Sequence, residues 1–409
     1  MSAGGPAEAP RRVHVVGAGP VGLMMTALLQ QAPGYDVRLY EKRAEYTRDR
    51  MVKLAPYLVA DTVDAYRADP LDGDNVEAVF EPWELEEALA FRRRMSPDLR
   101  ELLATLTEGF VRLNDVEGAL SDLVDGGGPS PVTRIPGALT LDDVHARLEP
   151  GDLLIDCTGS KSLLRDHLVP EWDPAAGERG NTNSIRMEHA AVATFVFDRR
   201  YECNEYCKYY KNLDNARYKF VPSVERTLYD DSASHVTGLI HISEEEYAAM
   251  PPACDGEWLR ANMPGVARSM DRFIEKVRAE TSGELVDDVR VIRIVLDLYR
   301  AYRATNRAWL HGPPTDHPFA KTSAFLVGDA AIGSPYFQSI SLGFECAMFL
   351  AGLLTHTECS TDEILERYER LVYQQWLRVY MRTKQIKHNK DLFETIDDTF
   401  GLLEKLHIF

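Results

Sequence analysis

The sequence lacks the features of a disulfide-rich, zinc-binding or membrane protein. Its 409 residues include only six cysteines, which are scattered along the chain, so a disulfide framework is not expected. Cys203 and Cys207 form one CxxxC pair with no second pair downstream, which favours two ordinary thiols over a metal site. No apolar run reaches the roughly 20 residues of a membrane span, and no secretory signal is recognisable. We therefore expect a reduced, cytoplasmic protein that binds neither metal nor membrane.

Positive charge is scarce as well. Lys and Arg number 46 against 64 Asp and Glu, which gives a formal net charge of -18. Such a surface repels nucleic acid and anionic membranes, so we expect neither as a partner. Hydrophobic residues make up 45% of the chain and charged residues 27%, which is typical of a globular protein. We expect small molecules as partners, and the sequence leaves the oligomeric state open.

Apolar runs and turns predict an α/β fold. Val13–Val16 is a short apolar run, Val21–Gln31 has apolar residues at helical density, and Asp36–Tyr40 is a second short run. This strand-helix-strand order opens a parallel, doubly wound Rossmann-type sheet. From about Ser184 to His241 the runs are longer and alternate between apolar and polar residues. That pattern is typical of an antiparallel sheet with one solvated face.

The first strand and helix enclose a nucleotide-binding motif, Gly17-Ala-Gly19-Pro-Val-Gly22. The three glycines permit a tight turn, close approach of a pyrophosphate and close packing of helix on strand. Free N–H groups at the start of the following helix would face the phosphate charge. Glu41 ends the second strand 19 residues after Gly22, where a carboxylate can hold ribose hydroxyls. A structural glycine turn is the alternative, and the motif alone does not separate FAD from NAD. The predicted contacts are Gly17, Gly19, Pro20, Val21, Gly22 and Glu41.

A second motif, Phe325-Leu-Val-Gly328-Asp329-Ala-Ala, follows far along the chain, before a loop with Pro335 and a helix from about Leu342. This order of motifs resembles the para-hydroxybenzoate-hydroxylase-type flavoprotein monooxygenases. The resemblance implies that Gly328 and Asp329 contact the ribityl chain of FAD and that Pro335 lies beside the isoalloxazine. It also implies that a helix N-terminus faces the flavin pyrimidine, which suits an anionic reduced flavin. The predicted contacts on that helix are Ser341, Leu342 and Gly343.

Two more segments carry the resemblance. Cys157-Thr-Gly159-Ser-Lys-Ser162-Leu-Leu-Arg165 fits the GxxSxxR motif, but Thr158 stands where the family has Asp, and Asp156 is displaced by two residues. In the family this segment touches FAD and the nicotinamide cofactor, so Thr158 and Gly159 are predicted contacts. The basic stretch after Glu41 is similar to that of MICAL-type hydroxylase domains. Its candidates for contact with FAD are Lys42, Arg43, Arg48, Arg50 and Lys53.

The resemblance implies a domain division. Residues 1–10 would be a flexible tail, residues 11–183 and 300–358 a discontinuous Rossmann-type FAD-binding domain, and residues 184–299 an inserted, β-rich antiparallel substrate domain. Residues 359–409 would form C-terminal helices. The loop after Pro335 departs from the family's glycine-rich pattern, because Tyr336 and Phe337 are bulky. Both side chains are candidates for the wall of a pocket over the flavin, and packing against the substrate domain is the alternative.

These features predict an FAD-dependent monooxygenase. It would use NADPH or NADH and O2 to hydroxylate or N-oxygenate a small organic molecule, with aromatic substrates among the candidates. The chemistry of such enzymes belongs largely to the flavin, so no general base is assigned. Two alternatives remain: an FAD-dependent oxidase or reductase that inserts no oxygen, and a catalytically degenerate flavin-binding protein.

Overall fold

Two sheets form the frame of the molecule, one parallel with five strands and one antiparallel with seven. The computed structural model describes residues 9–48, 50–67, 79–162, 164–168, 182–201, 210–212, 215–225, 233–306, 322–334 and 339–405. A short antiparallel pair, β3 (Met51–Lys53) with β4 (Phe110–Arg112), contacts the antiparallel sheet. The Oγ1 of Thr237 in the antiparallel sheet accepts a hydrogen bond of 3.2 Å from the backbone N–H of Met51. The predicted α/β class is confirmed.

The parallel sheet is the Rossmann-type half of the fold, and its strand order is β13-β6-β1-β2-β5. Strand β6 and the apolar part of β1, Val13–Val16, are buried and rich in Val, Leu and Ile, as expected for a parallel sheet covered on both faces. Strands β1 and β2 confirm two runs predicted from the sequence, and β5 on the edge was not predicted. The strands are β1 (Arg11–Val16), β2 (Tyr35–Glu41), β5 (Val132–Pro136), β6 (Leu153–Asp156) and β13 (Ser323–Leu326).

Three helices pack together over this sheet. Helix α1 (Pro20–Gln30) follows the glycine turn and lies between α5 (Leu113–Asp125) and α10 (Ser339–His356). Helix α10 is long and apolar enough to cross a membrane by composition, but it is mostly buried inside the protein. It is therefore the central core helix. The neighbouring helices are α2 (Val63–Arg67), α3 (Pro82–Arg93), α4 (Pro97–Thr107) and α6 (Leu141–Arg147).

The antiparallel sheet has the order β11-β12-β7-β10-β9-β8, and β14 pairs with β12. One face packs on helix α9 (Pro264–Thr281), where Phe195, Phe220 and Phe273 meet. This sheet confirms the predicted change of pattern. The strands are β7 (Thr182–Phe197), β8 (Tyr210–Asn212), β9 (Asn215–Val224), β10 (Ser234–Ile242), β11 (Ala253–Asp255), β12 (Arg290–Ala301) and β14 (Ile332–Gly333), and the remaining short helices are α7 (Glu244–Ala249) and α8 (Gly256–Asn262).

The C-terminal region confirms the predicted helical end of the chain. It forms a single helix, α11 (Thr361–Lys405), of 45 residues. Its first turns pack on α10 and on the end of the parallel sheet, and Tyr368 donates a hydrogen bond of 2.8 Å to the carbonyl of Leu326. This helix therefore holds the last parallel strand and the core helix together.

Candidate cofactor site

An open groove of about 1760 Å³ runs along the carboxyl ends of strands β1, β2, β6 and β13. The carboxyl ends of the strands of an open parallel sheet are where such folds bind nucleotides. The groove gathers segments that are far apart in the sequence. Among the predicted contacts, it is lined by Gly17, Gly19, Pro20, Val21, Glu41, Lys42, Arg43, Arg48, Arg50, Thr158, Gly159 and Asp329.

The three glycines of the turn have different surroundings. Gly17 has a φ of +94°, and a Cβ there would lie 2.9 Å from the carbonyl oxygen of Cys157. A Cβ on Gly22 would lie 1.8 Å from the carbonyl oxygen of Gly17. Both positions are therefore closed by backbone atoms. Gly19 differs, because the nearest atom to a Cβ there is the Nη2 of Arg48, at 3.4 Å. Gly19 thus leaves open the space that a pyrophosphate would need.

Glu41 closes the turn from the second strand. Its Oε2 accepts a hydrogen bond of 2.9 Å from the Ala18 N–H, and its Oε1 accepts bonds of 2.8 and 3.1 Å from the backbone N–H and Nε of Arg43. Burial opposes the charge, but the hydrogen bonds from Arg43 outweigh it and hold the pKa of Glu41 below its ordinary value. An ionised carboxylate at this place has the chemistry to accept hydrogen bonds from ribose hydroxyls.

The structure adds a residue that the sequence reasoning missed, Glu117. This fully buried side chain of α5 accepts hydrogen bonds from Arg48 and, at 3.5 Å, from Arg43. A sequence signal existed, because Leu113, Val116 and Leu120 mark the apolar face of the helix and Glu117 lies on that same face. An acid on an apolar face needs a buried partner.

Asp329, which follows the last parallel strand, also lines the groove. Its carboxylate accepts a hydrogen bond from the hydroxyl of Ser339 at the start of α10. Burial raises the pKa of Asp329, although the Ser339 bond and the charge of Arg50 act in the opposite direction. The hydroxyl of Tyr299 donates to the backbone carbonyl of Asp329 at 2.7 Å, and burial raises the pKa of Tyr299 to about 12. Tyr299 therefore remains a donor and fixes the turn.

The displaced acid of the middle motif organises its loop. Asp156 is fully buried and accepts hydrogen bonds of 2.8 and 2.6 Å from the N–H and hydroxyl of Thr158. It also accepts bonds of 2.6 Å from the Ser162 hydroxyl and 2.9 Å from the Leu164 N–H. The loop thereby brings Thr158 and Gly159 to the groove. Arg165, the last residue of the motif, lies over the Tyr299 ring at 5.5 Å.

Helix α10 begins earlier than predicted, and different residues of its first turn line the groove. The helix is described from Ser339, three residues before the predicted start at Leu342. Ser339 and Ile340 line the groove, whereas the Ser341 hydroxyl accepts a hydrogen bond of 2.9 Å from the Ala55 N–H. Leu342 is buried.

Two of the predicted glycines pack against α1. A Cβ on Gly343 would lie 2.6 Å from the Cγ2 of Val21, and a Cβ on Gly328 would lie 3.1 Å from the Cγ1 of Val21. Their observed contacts are therefore with protein atoms, and their flavin contacts stay predictions. The loop residues Pro335, Tyr336 and Phe337 lie outside the described residues.

Other basic and aromatic side chains lie away from the groove. The run Arg92-Arg-Arg94 is a candidate for phosphate contact or, as the alternative, for a solvated helix face. Arg93 and Arg94 are exposed, as the alternative predicts, whereas Arg92 is buried and bonds to Glu345 at 2.5 Å. Tyr218 and Phe220 belong to the core of the antiparallel sheet. Cys203 and Cys207 lie outside the described residues, and within the described ranges no group of three or more His, Cys, Asp or Glu side chains could hold a metal ion.

Comparisons with known proteins place this geometry in a known fold. The model of a family described as NAD(P)-binding Rossmann-like domain matches residues 15–47. The tetrameric form of 2-methyl-3-hydroxypyridine-5-carboxylic acid oxygenase is similar with a TM-score of 0.53 and 15% identity, over 95% of this chain and 93% of the oxygenase. The chain therefore shares the fold of this oxygenase.

The same fold is shared with a protein of another description. The Diels-Alderase PyrE3 of pyrroindomycin biosynthesis has a TM-score of 0.53 and 15% identity, over 96% of this chain and 78% of PyrE3. A comparison with curated protein sequences found no match. Because identity is low, the likeness defines the fold, and function must be argued from the groove.

Proposed function

We propose that the protein is an FAD-dependent monooxygenase that hydroxylates or N-oxygenates a small organic molecule, with aromatic molecules among the candidates, using NADPH or NADH and O2. The observation that supports this most is that one groove gathers recognition groups from two distant parts of the chain. Gly19 and Glu41 follow the first two strands, and Asp329 and Ser339 follow the last parallel strand. A dinucleotide with a long polar linker, such as FAD, can contact both sets of groups.

The residues present fit FAD in their chemistry. The open space at Gly19 and the start of α1 suit a pyrophosphate, because helix N-termini and guanidinium groups attract anions. Ionised Glu41 suits the adenosine ribose. Asp329 can accept hydrogen bonds from the hydroxyls of the ribityl chain, and Arg50 and Lys42 add positive charge along the groove.

The chain's own part in the reaction is to bind, orient and exclude water. Bound FAD would supply the redox chemistry, taking electrons from NAD(P)H and passing them to O2. We expect the antiparallel sheet to cover the flavin end, since Thr237 already contacts Met51 beside the groove. Tyr336 and Phe337 remain predicted pocket walls. Both roles keep water from the reacting atoms.

The experiment reconstitutes the purified protein with FAD and follows its absorbance spectrum. The bound flavin should be reduced anaerobically by NADH or NADPH in the presence of candidate substrates, and O2 should then yield an oxygenated product. Peroxide as the sole product across a broad panel would favour the oxidase. Flavin that binds but undergoes no reduction would favour a non-redox flavoprotein. If the protein, denatured after reconstitution with FAD, releases FMN or no nucleotide, the proposal is excluded.

A further inference from the structure

Glu117 places a buried carboxylate beside the space reserved for the cofactor's pyrophosphate. A Cβ on Gly19 would lie 3.4 Å from the Nη2 of Arg48, 3.8 Å from the Oε1 of Glu117 and 3.9 Å from the Nη2 of Arg43. Under the proposed function, on which this inference rests, the pyrophosphate approaches the chain at Gly19. An anion of the protein and an anion of the cofactor therefore share one pair of arginines.

The two arginines are held differently. Arg43 is anchored on Glu41 through its backbone N–H, its Nε and its Nη2, and it reaches Glu117 at 3.5 Å. In the described parts of the chain, the side-chain hydrogen bond of Arg48 is to Glu117. The side chain of Arg48 is 40% exposed, whereas that of Glu117 is 0% exposed. Arg48 is therefore the partner that can turn towards a ligand, and Glu117 is fixed.

The charges beside Gly19 determine how Glu117 affects the binding of a pyrophosphate. The guanidinium groups of Arg43 and Arg48 are matched by the carboxylates of Glu41 and Glu117, so this cluster carries a net charge of about 0, against about -2 on the pyrophosphate of FAD. Buried charges are stabilised by their partners, so Glu117 holds Arg43 and Arg48 in place before the cofactor binds. Once a pyrophosphate is present, the same carboxylate repels it across a few ångströms. Within the described ranges, the Oε2 of Glu117 is buried without a hydrogen-bond partner, so its charge is only partly compensated.

We propose that Glu117 acts as an internal anion that competes with the FAD pyrophosphate for Arg48. It orders the two arginines in the cofactor-free protein and lowers the affinity for FAD. Binding then consists of an exchange, in which Arg48 leaves Glu117 for the phosphates while Arg43 stays on Glu41. The affinity of the groove for FAD is set by this exchange as well as by the glycine turn.

The test titrates FAD into apoprotein and measures the dissociation constant from the flavin fluorescence. Glu117→Gln keeps the shape of the side chain and removes its charge. Its FAD dissociation constant should fall about tenfold, and this gain should shrink at high salt, because salt screens charge. The cofactor-free variant should also unfold at a lower temperature than the wild type, because Arg48 loses its charged partner and Arg43 loses one of its two.

Asp115→Asn is the matched control. It makes the same charge change on the same helix, where Asp115 pairs with Arg112 at 2.9 Å and does not line the groove. Its FAD affinity should equal that of the wild type. Weaker or unchanged FAD binding by Glu117→Gln, with Asp115→Asn normal, would show that Glu117 is only a structural ion pair.

A structure of the wild-type protein with ADP provides a test that needs no folded variant. Arg48 should contact the phosphates of ADP and no longer Glu117, while Arg43 remains on Glu41. Arg48 still bound to Glu117 beside the phosphates would overturn the inference. A wild type that binds ADP but not FAD would defeat the proposed function instead, so the two failures are distinguishable.

Discussion

At the residue scale, the glycine turn separates what the fold needs from what a cofactor needs. Gly17 and Gly22 are closed by backbone atoms, whereas Gly19 faces only flexible charged side chains. Gly19→Val should therefore fold and lose FAD, because its side chain occupies the space of the pyrophosphate. We expect FAD affinity to fall by at least about 100-fold, which is about 2.7 kcal/mol. The measurement is FAD content after reconstitution, with circular dichroism to verify folding.

Gly118→Ala is the control for this substitution. Gly118 lies on α5, and a Cβ there would meet nothing within 4 Å. This variant should retain full FAD content. A folded Gly19→Val protein with the same FAD content as Gly118→Ala would show that the pyrophosphate lies elsewhere.

The ionised carboxylate of Asp329 destabilises the folded, cofactor-free protein, because it is buried. Its pKa is raised in the folded state, so the folded protein binds this proton more tightly than the unfolded chain does. The resulting loss of unfolding free energy is absent below the ordinary pKa of 3.8 and appears as the pH rises through the raised pKa. At pH 7 the cofactor-free Asp329→Asn protein should therefore unfold at a higher temperature than the wild type. Its FAD binding should weaken by roughly 1.5–3 kcal/mol through loss of a charged acceptor.

Two measurements check this prediction: thermal unfolding without cofactor, and FAD titration. The asparagine oxygen can still accept the hydrogen bond from Ser339, so the turn should remain. Equal FAD affinity in both proteins would count against a ribityl role for Asp329. A lower melting temperature of the variant would show that its charge is well solvated.

At the element scale, α10 joins the groove to a buried cluster of charges. Ser339 lies at the groove, while Glu345 bonds to Arg92 at 2.5 Å and to Arg378 at 3.0 Å in the core. Burial opposes the charge of Glu345, but the guanidinium groups of Arg378 and Arg92 hold its pKa below the ordinary value. Glu345→Gln should cost about 3–5 kcal/mol of unfolding free energy at pH 7, because it leaves two buried cations without their anion.

Denaturant unfolding measures this loss, and Glu86→Gln is its control. Glu86 pairs with Arg93 on the exposed side of α3, where such pairs contribute at most about 1 kcal/mol. Because the folded pKa of Glu345 is depressed, its contribution is present above the ordinary pKa of 4.5 and is lost as the pH falls below it. The difference between wild type and Glu345→Gln should therefore narrow at acidic pH. A difference that does not change with pH would point to packing instead of charge.

The sequence could predict those features that depend on residues close together along the chain. The strand-turn-helix start, the Gly-Asp turn at Asp329 and the change to an antiparallel sheet are encoded by neighbouring residues, and the structure confirms these elements. Glu117 and Arg92 depend on partners dozens or hundreds of positions away, so local pattern could not assign them. The start of α10 was placed late because Ser339 and Ser341 interrupt the apolar pattern while their hydroxyls bond to Asp329 and Ala55.

At the scale of the whole molecule, the groove depends on segments from both ends of the chain. Gly19 and Glu41 come from its beginning, and Asp329 and Ser339 follow the inserted antiparallel sheet. A ligand that contacts both ends can bind only when the parallel sheet has been completed by β13. Such a ligand binds the folded state and not the unfolded chain, and it therefore stabilises the protein against global unfolding.

FAD should consequently stabilise the protein more than either of its halves. At a free concentration of about 100 times its dissociation constant, FAD should add about 2.7 kcal/mol to the unfolding free energy. ADP contains the pyrophosphate but not the flavin, and FMN contains the flavin but not the adenosine. At the same concentration as FAD, each should give a smaller shift, because each contacts one end of the groove.

The measurement is the denaturant midpoint with each ligand, and with NADH as a fourth. A shift from FMN as large as that from FAD would mean that the glycine turn does not bind adenosine diphosphate. A larger shift from NADH than from FAD would assign the groove to the nicotinamide cofactor.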